Sequence, residues 1–452
     1  MFGLSVLFLG SALATETGGR IETHYRMGFD ACDPIPSGCE LLDFRDTAVL
    51  GTWLDTHFER ISARFAADLR LHLPGEITAL EDTQEIGNLQ PISLRMKDAW
   101  IDLPISQGNN PARLRLGLQT ISWGVADGIH VNDPINPLNL ENPLSLDSKL
   151  SIPALHLQLG GGVWSVETVV VPFYTGSLLP PSGFSLAPNS DDLLEVEAFE
   201  GNEVGQINAR LNSPRTSLRN ASTGLRAEFR SSRADFALTA YSGRDSIPQA
   251  DGALLITGFQ TDADRVDFAV PLIYPRIQTL GVDTRAALFW DMSAWLEWAV
   301  VFPQETQLSV SEVQMQALAQ LGSIEEVPDP LPSYTTQDGA MYSRWIGGID
   351  RSFGPLHLSL QWMHGFPLER QKEDLRDYGV VFVRFPVTDT LLLEAQAISD
   401  LQASLSQTKV VALVDDAAEL SLELTWITAP EEHSLEAFTG LSHLGLGGKV
   451  EF

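Results

Sequence analysis

Strict alternation of apolar and polar residues over about ten positions limits how this chain can fold more than any other feature. In the stretch PLHLSLQWMH, leucine and tryptophan occupy every second position, and His357, Ser359 and Gln361 lie between them. The pattern recurs in RFAADLRLHLP, ARLRLGLQTIS, PALHLQLG, TGLRAEFRSS and ELSLELTW. Each of these runs therefore predicts a β-strand with one apolar and one polar face.

Such strands suit either a soluble sandwich or a membrane barrel, and three features favour the barrel. Tilted strands of about ten residues are long enough to cross a bilayer. The polar faces often carry mixed charges, as a water-filled lumen permits. Aromatic residues also lie near strand ends, where interfacial girdles are expected: Trp53, Trp100, Trp123, Tyr174, Tyr241, Trp362 and Trp426. We predict an all-β, transmembrane antiparallel β-barrel.

The charge of the chain limits its partners. The 59 acidic against 29 basic residues give a net charge of −30, which argues against a nucleic acid partner, since phosphate binding needs clustered Lys and Arg. Three interpretations of the acidic surplus stay open. The carboxylates bind divalent cations or bridge lipopolysaccharide on outer loops, they favour cations in a lumen, or they keep long loops solvated.

The first residues, MFGLSVLFLGSALATE, resemble the apolar core of a secretory signal. Ala12-Leu13-Ala14 fits a cleavage site, so residues 1–14 are predicted to be a signal peptide and 15–452 one barrel domain. No Lys or Arg precedes the apolar run, which leaves open a start further upstream. Export implies an oxidising compartment, and Cys32 and Cys39, which flank DPIPSG, are predicted to form a small-loop disulfide.

The C-terminal run HLGLGGKVEF alternates and ends on Phe452, which resembles the terminal signal of bacterial outer-membrane barrels. Counting alternating runs gives 14–18 strands, with 16 as the centre, because bacterial barrels favour even numbers. One interruption, Gln304–Gln337, predicts a short helix in a loop or folded into the lumen. Ser309 and Glu312 have the spacing of its capping box. Val310, Val313, Leu318 and Leu321 form its predicted apolar face.

Catalytic and cofactor motifs are scarce in this sequence. It contains no H-E-x-x-H, G-x-S-x-G, P-loop or C-x-x-C pattern, and its nine histidines are scattered. We therefore expect neither an enzyme nor a bound cofactor.

The second interruption, SWGVADGIHVNDPINPLNLENPL, concentrates Asp, Asn, Pro and Gly between two strands. It predicts a fixed loop that acts as a constriction or plug in the lumen. A cation site formed by Asp127, His130 and Asp133 is the weaker alternative.

The same stretch is similar to a family of proteobacterial outer-membrane proteins that is classed by a domain of unknown function. Members carry the pattern GRQ…WG.ADG…D.INPLDL. The matching positions are Gly117, Gln119, Trp123, Gly124, Ala126, Asp127, Gly128, Asp133, Ile135, Asn136, Pro137, Leu138 and Leu140. The stretches 166–174 and 222–248 resemble the family in the same order. Leu118 and Asn139 depart from its usual Arg and Asp.

The resemblance implies a β-barrel envelope protein whose genes often lie beside a periplasmic partner and an exporter of the resistance-nodulation-division type. It thereby suggests passage or transfer of a small, hydrophobic or lipidic compound. Outer-membrane lipid, lipopolysaccharide and the barrel assembly machinery are the other expected partners. A structural or adhesive barrel with acidic loops and an outer-membrane enzyme are the alternatives.

Overall fold

Hydrogen bonding between neighbouring strands closes most of this chain into one barrel. The computed structural model describes residues 13–29, 41–58, 60–72, 92–106, 108, 110–140, 148–178, 203–215, 217–260, 265–320, 327, 329, 331, 333–414, 417–430, 433–435, 438 and 442–452. In chain order the strands are β1 Leu13–Phe29, β2 Leu41–Phe58, β3 Ile61–His72, β4 Ile92–Ser106, β5 Ala112–Gln119, β6 Ile152–Gly161, β7 Trp164–Val171, β8 Glu203–Asn212, β9 Ser222–Arg230, β10 Ala234–Arg244, β11 Gln249–Ala250, β12 Gly252–Gln260, β13 Arg265–Ile273, β14 Arg276–Ala287, β15 Met292–Pro303, β16 Thr306–Val310, β17 Ser333–Gln337, β18 Tyr342–Phe353, β19 Leu356–His364, β20 Asp377–Thr388, β21 Leu391–Ser399, β22 Ser404–Leu413, β23 Ala418–Thr428 and β24 His443–Glu451.

Eighteen of these strands form a closed antiparallel barrel, and each pairs with the next barrel strand along the chain. The barrel closes where β1 pairs with β24. At this seam Gly19 and Phe452 exchange two backbone hydrogen bonds of 2.7 and 2.9 Å. The predicted all-β barrel is confirmed, and its 18 strands lie at the top of the predicted range.

The central estimate of 16 strands was low. Alternation is incomplete in some barrel strands, as in β7, which ends in three consecutive valines. Its inward Val169 and Val171 are buried in a cluster with residues of the loop that follows β5. Packing of this kind removes the polar face on which the count of alternating runs depended.

The outward face of the barrel is apolar and exposed. On β23, Leu420, Leu422 and Leu424 are between 45 and 57% exposed, whereas the inward Thr425 and Ile427 are buried. Outward residues of the other strands follow the same rule, among them Leu50, Phe65, Leu225, Leu238, Leu280, Leu296, Trp298, Leu360, Trp362 and Leu446. This inversion of a soluble protein's pattern is typical of a membrane barrel.

The two ends of the barrel differ in the length of their connections. Short turns, such as 288–291 between β14 and β15 and 354–355 between β18 and β19, join the strands at one end. Long segments join them at the other end, including 120–151, 172–221, 245–275 and 304–341. Strand β1 begins and β24 ends at the short-turn end.

A second sheet of six strands, which the sequence did not predict, is formed by the long connections. Its strands are β8, β11, β12, β13, β16 and β17, and its pairings of β12 with β16 and of β13 with β8 are parallel. Helix α1 (Glu312–Gln320) lies between β16 and β17. The side-chain amide of Gln314 bonds both the N–H and the C=O of Ile256, at 3.1 and 3.0 Å, and so holds α1 against β12.

The predicted helix is confirmed, but its predicted details are wrong. Ser309 is not a cap, because it lies in β16 and pairs with Ser333. The first turn instead follows Ser311, whose carbonyl accepts the N–H of Met315 at 3.0 Å. Met315 is fully buried and Val313 is 75% exposed, so the apolar face differs from the predicted one.

Several predictions concern the N-terminal region. Strand β1 begins at Leu13 and so includes the last two residues of the predicted signal peptide. Residues 1–12, Cys32 and Cys39 lie outside the described residues, so the cleavage site and the disulfide stay predictions. Within the described ranges, no α-helix has the length and hydropathy that a membrane span requires.

Candidate functional site: the inward loop and the lumen

The loop that follows β5 folds into the barrel and packs against inward-facing side chains. Trp123 and Leu140 are each at most 1% exposed. The loop residues Ala126, Ile129 and Val131 join a core cluster that also contains inward residues of β15, β18 and β19: Trp295, Ala299, Ile346 and Met363. The loop therefore narrows the lumen from within, on the wall formed by β14 to β19.

A single buried carboxylate on the barrel wall anchors this loop. Glu297 on β15 is fully buried, and His130 lies 3.0 Å from its Oε1. Four loop amides also donate to it: those of Val125 and Ala126 to Oε1 at 2.6 and 2.7 Å, and those of Val131 and Asn132 to Oε2 at 3.0 and 3.3 Å. Because charge-assisted hydrogen bonds are strong, Glu297 fixes the loop to one position on the wall.

The second half of the loop is held by its own polar side chains. Asp133 accepts the N–H of Trp123 at 2.9 Å and pairs with Lys149. Asn136 accepts the N–H of Ile121 at 2.9 Å and donates to the carbonyl of Leu150 at 2.7 Å. The family-like Asp and Asn residues thus tie the start of the loop to its end.

The Trp-Gly pair of the motif also has a structural role. The indole N–H of Trp123 donates to Glu167 on β7 at 3.2 Å, and His156 lies 2.9 Å from the same carboxylate. Gly124 has a φ of 103°. A side chain there would be strained and would meet Glu297 and His130.

The three candidate cation ligands do not converge. His130 bonds Glu297, Asp133 bonds Trp123 and Lys149, and Asp127 points to a different part of the lumen. Across the described residues, no three His, Cys, Asp or Glu side chains are placed to hold a metal ion.

The opposite wall of the lumen, on β1 to β5, carries charged side chains in contact with solvent. Two nearly buried carboxylates each hold two cations. Asp68 pairs with Arg20 at 3.0 Å and with Lys97 at 3.1 Å. Asp102 likewise pairs with Arg113 at 3.0 Å and with Arg115 at 3.1 Å. The cationic side chains are 24–50% exposed and the two carboxylates at most 3%. The lumen beside the loop is therefore polar and accessible.

A cavity of about 510 Å³ lies between the tip of the loop and the short-turn end of the barrel. Asp127 reaches it from the loop, and Arg285, Asp350 and His357 line it from β14, β18 and β19. Burial and the neighbouring negative charge of Asp350 raise the pKa of Asp127 above its ordinary value. The cavity is a polar compartment under the loop.

Three of the predicted girdle aromatics, Trp123, Tyr241 and Trp100, do not lie on the barrel surface. Trp123 and Tyr241 are buried in the cluster beneath the loop, and Trp100 faces inward, where the guanidinium of Arg115 lies 4.2 Å from its ring. Trp362, at 54% exposed, and Trp426 do face outward as predicted.

Glu297 and Asp350 were missed by the sequence interpretation. Glu297 is the one acid within SAWLEWAVV, flanked by Leu296 and Trp298. An isolated carboxylate on the inward face of such an apolar strand is costly unless it is bonded, so this was the available signal.

The fold and the inward loop together define the class: a closed β-barrel with an apolar exterior and a loop-narrowed, polar lumen. By sequence, the chain belongs to the family described as "Protein of unknown function (DUF1302)", which matches residues 69–442. The predicted membership of a family of unknown function is thereby confirmed. The gene context that the resemblance suggested stays a prediction.

The fold is also similar to solved barrels. The outer membrane protein OpdK from Pseudomonas aeruginosa is 7% identical, with 97% of this chain and 98% of that chain covered and a TM-score of 0.49. OccAB1 from Acinetobacter baumannii is 9% identical, with 97% and 96% covered and a TM-score of 0.48. Both likenesses are weak, and the fold assignment rests on the strand pairing itself. No curated protein matches the chain.

Proposed function

We propose that this protein is an outer-membrane barrel that lets a small solute pass through its lumen. The observation that carries the proposal is the inward loop. It is anchored by Glu297 to one wall and lies beside a second wall whose charged side chains contact solvent. A loop fixed in this way narrows a pore to small solutes while leaving a polar path.

The exterior supports the membrane location. An outward face of exposed Leu, Phe and Trp is unfavourable in water but matches the hydrocarbon of a bilayer. The even number of strands, the short turns at one end and the long connections at the other agree with bacterial outer-membrane barrels, in which the short turns face the periplasm. The six-stranded sheet would then face outward from the cell.

The finer predictions about cargo and partners remain proposals. Charged residues on the accessible wall favour a polar solute over the lipidic compound that the resemblance suggested. A periplasmic partner, a resistance-nodulation-division exporter, lipopolysaccharide and the assembly machinery remain expected partners. The expectation that the chain is not an enzyme also remains a prediction.

Fractionation and solute flux test this proposal together. The full chain should be recovered with the outer membrane and should migrate differently on gels before and after boiling. Liposomes that contain it should swell in isotonic small sugars and amino acids, and the swelling rate should fall steeply as solute size increases. Protein-free liposomes and liposomes with boiled protein are the controls.

Two results would count against the proposal. Recovery in a soluble fraction, without a heat-dependent gel shift, would refute the membrane barrel. A heat-modifiable barrel that gives no swelling with any solute would refute passage and favour the structural or adhesive alternative.

A further inference from the structure

The cavity beneath the loop tip gathers charged groups that do not pair with one another. Asp127 and Asp291 provide carboxylates and Arg285 a guanidinium. Within the described part of the chain, none of these three side chains forms an ion pair. All three residues are exposed, so each charged group is free to meet a ligand that enters the cavity.

Asp350 gives an independent indication of a ligand. Its Oδ2 accepts the indole N–H of Trp295 at 2.9 Å and the hydroxyl of Ser293 at 3.2 Å. Its Oδ1 is buried and has no hydrogen-bond partner among the described residues. Buried carboxylate oxygens are normally satisfied. The Trp295 and Ser293 bonds hold the carboxylate in one orientation at the cavity wall.

The chemistry of the lining selects the kind of ligand. Burial and the negative charge of Asp350 raise the pKa of Asp127, and a positive group between the two carboxylates would relieve the repulsion. Because no three potential ligand side chains in the described ranges converge, an ammonium group fits this position better than a metal ion. Arg285 offers donors for a carboxylate on the same molecule.

We propose that this cavity binds a small zwitterion, with its ammonium group at Asp127 and Asp350 and its carboxylate at Arg285. The site faces the short-turn end of the barrel, below the narrowing loop. The proposal deepens the proposed function, on which it rests, by naming the class of solute that pauses there. Because the lumen charges would contact both ends of a zwitterion, they would select it over solutes that carry only a positive or only a negative charge.

Calorimetric titration of the purified full chain in detergent tests the proposal with three matched probes: 4-aminobutyrate, n-butylamine and butyrate. 4-Aminobutyrate should bind at least about tenfold more tightly than either partial probe. Asp350→Asn should weaken 4-aminobutyrate and n-butylamine by about tenfold and leave butyrate unchanged. Arg285→Gln should weaken 4-aminobutyrate and leave n-butylamine unchanged.

Asp389→Asn is the matched control, because Asp389 is an exposed acid in the turn between β20 and β21, outside the cavity lining. It should bind all probes as the unchanged chain does. A heat-dependent gel shift in every variant shows that the barrel is formed. Equal binding of the three probes, no binding at all, or full binding by Asp350→Asn would overturn the proposal. Because binding in detergent does not require passage, zwitterion binding without liposome swelling would refute the proposed function alone.

Discussion

Glu297 concentrates the attachment of the inward loop in one side chain. Four loop amides and His130 bond its carboxylate. Each amide left without an acceptor in a buried site costs about 1–3 kcal/mol unless water replaces the carboxylate. The loop should therefore depend on this residue more than on any single apolar contact.

Glu297→Ala should detach the loop while leaving the barrel intact. The amides of Val125, Ala126, Val131 and Asn132 should exchange with solvent at least about tenfold faster, since a loss of 1.4 kcal/mol is a factor of ten. Hydrogen exchange followed by mass spectrometry measures this. Glu305→Gln, at an exposed site outside the loop, is the control. Unchanged protection in Glu297→Ala would contradict the anchoring role.

Asp127 makes the loop tip sensitive to pH. Burial and Asp350 raise its pKa in the folded protein. Protonation is therefore easier in the folded loop than in the unfolded chain. The stabilisation from protonated Asp127 is complete below the usual carboxyl pKa and is lost as the pH rises through the raised pKa.

Loop opening is measured by hydrogen exchange of the peptide 122–135, corrected for intrinsic exchange rates, at about pH 4 and about pH 7. Because protonated Asp127 favours the closed loop, the ratio of opening at pH 4 to opening at pH 7 should be smaller in the unchanged chain than in Asp127→Asn. Asp389→Asn, at an exposed turn outside the cavity, should keep the ratio of the unchanged chain. An Asp127→Asn variant with the full pH dependence would show that another group is responsible.

At the scale of single elements, the alternating strands were predictable and the packed ones were not. The pattern of β23 predicted its outward leucines because lipid on one side and the lumen on the other impose different chemistry on the two faces. The apolar inward residues of β7 depend on a loop that is distant in sequence, and no local pattern reveals that contact.

The candidate site likewise contains residues that the sequence could predict and one that it could not. The Asp, Asn and Gly residues that fix the loop were singled out from their local turn chemistry. Their wall partner Glu297 is more than 160 residues further along the chain, and its role needs the closed barrel to become visible. The six-stranded sheet was missed for a related reason, since its parallel pairings join segments far apart in sequence.

The outward face of strand β23 predicts how a charged substitution there should affect the stability of the barrel. Leu422 lies near the middle of the strand and is 45% exposed on the outward side. Leu422→Arg should destabilise the barrel in bilayers by about 2–4 kcal/mol, because a charge at the midplane must leave water for hydrocarbon. Urea-induced unfolding from phospholipid vesicles measures the change in the free energy of unfolding.

Leu422→Ala is the uncharged control and should cost clearly less than Leu422→Arg. If the arginine variant were as stable as the alanine variant, the outward face of β23 would be facing water, and the membrane placement of the barrel would be wrong.

At the scale of the whole molecule, the barrel has an apolar outer surface and a charged inner surface, and the inner surface encloses a narrowed passage. The outside is apolar, the inside is charged, and the loop after β5 occupies part of the lumen. The net charge of −30 does not describe the lumen wall on β1 to β5, where Asp68 and Asp102 each lie behind two cations. The acidic surplus therefore says little by itself about which ions would pass.

Single-channel conductance across a planar bilayer measures whether the inward loop limits passage through the barrel. The unchanged chain is compared with a variant in which residues 125–131 are replaced by a Gly-Ser linker of equal length. We expect small, discrete steps for the unchanged chain and clearly larger steps for the variant, because the loop that narrows the lumen is no longer held by Glu297. Equal steps would show that the loop does not limit the passage. The absence of steps from both heat-modifiable proteins would contradict passage through this barrel.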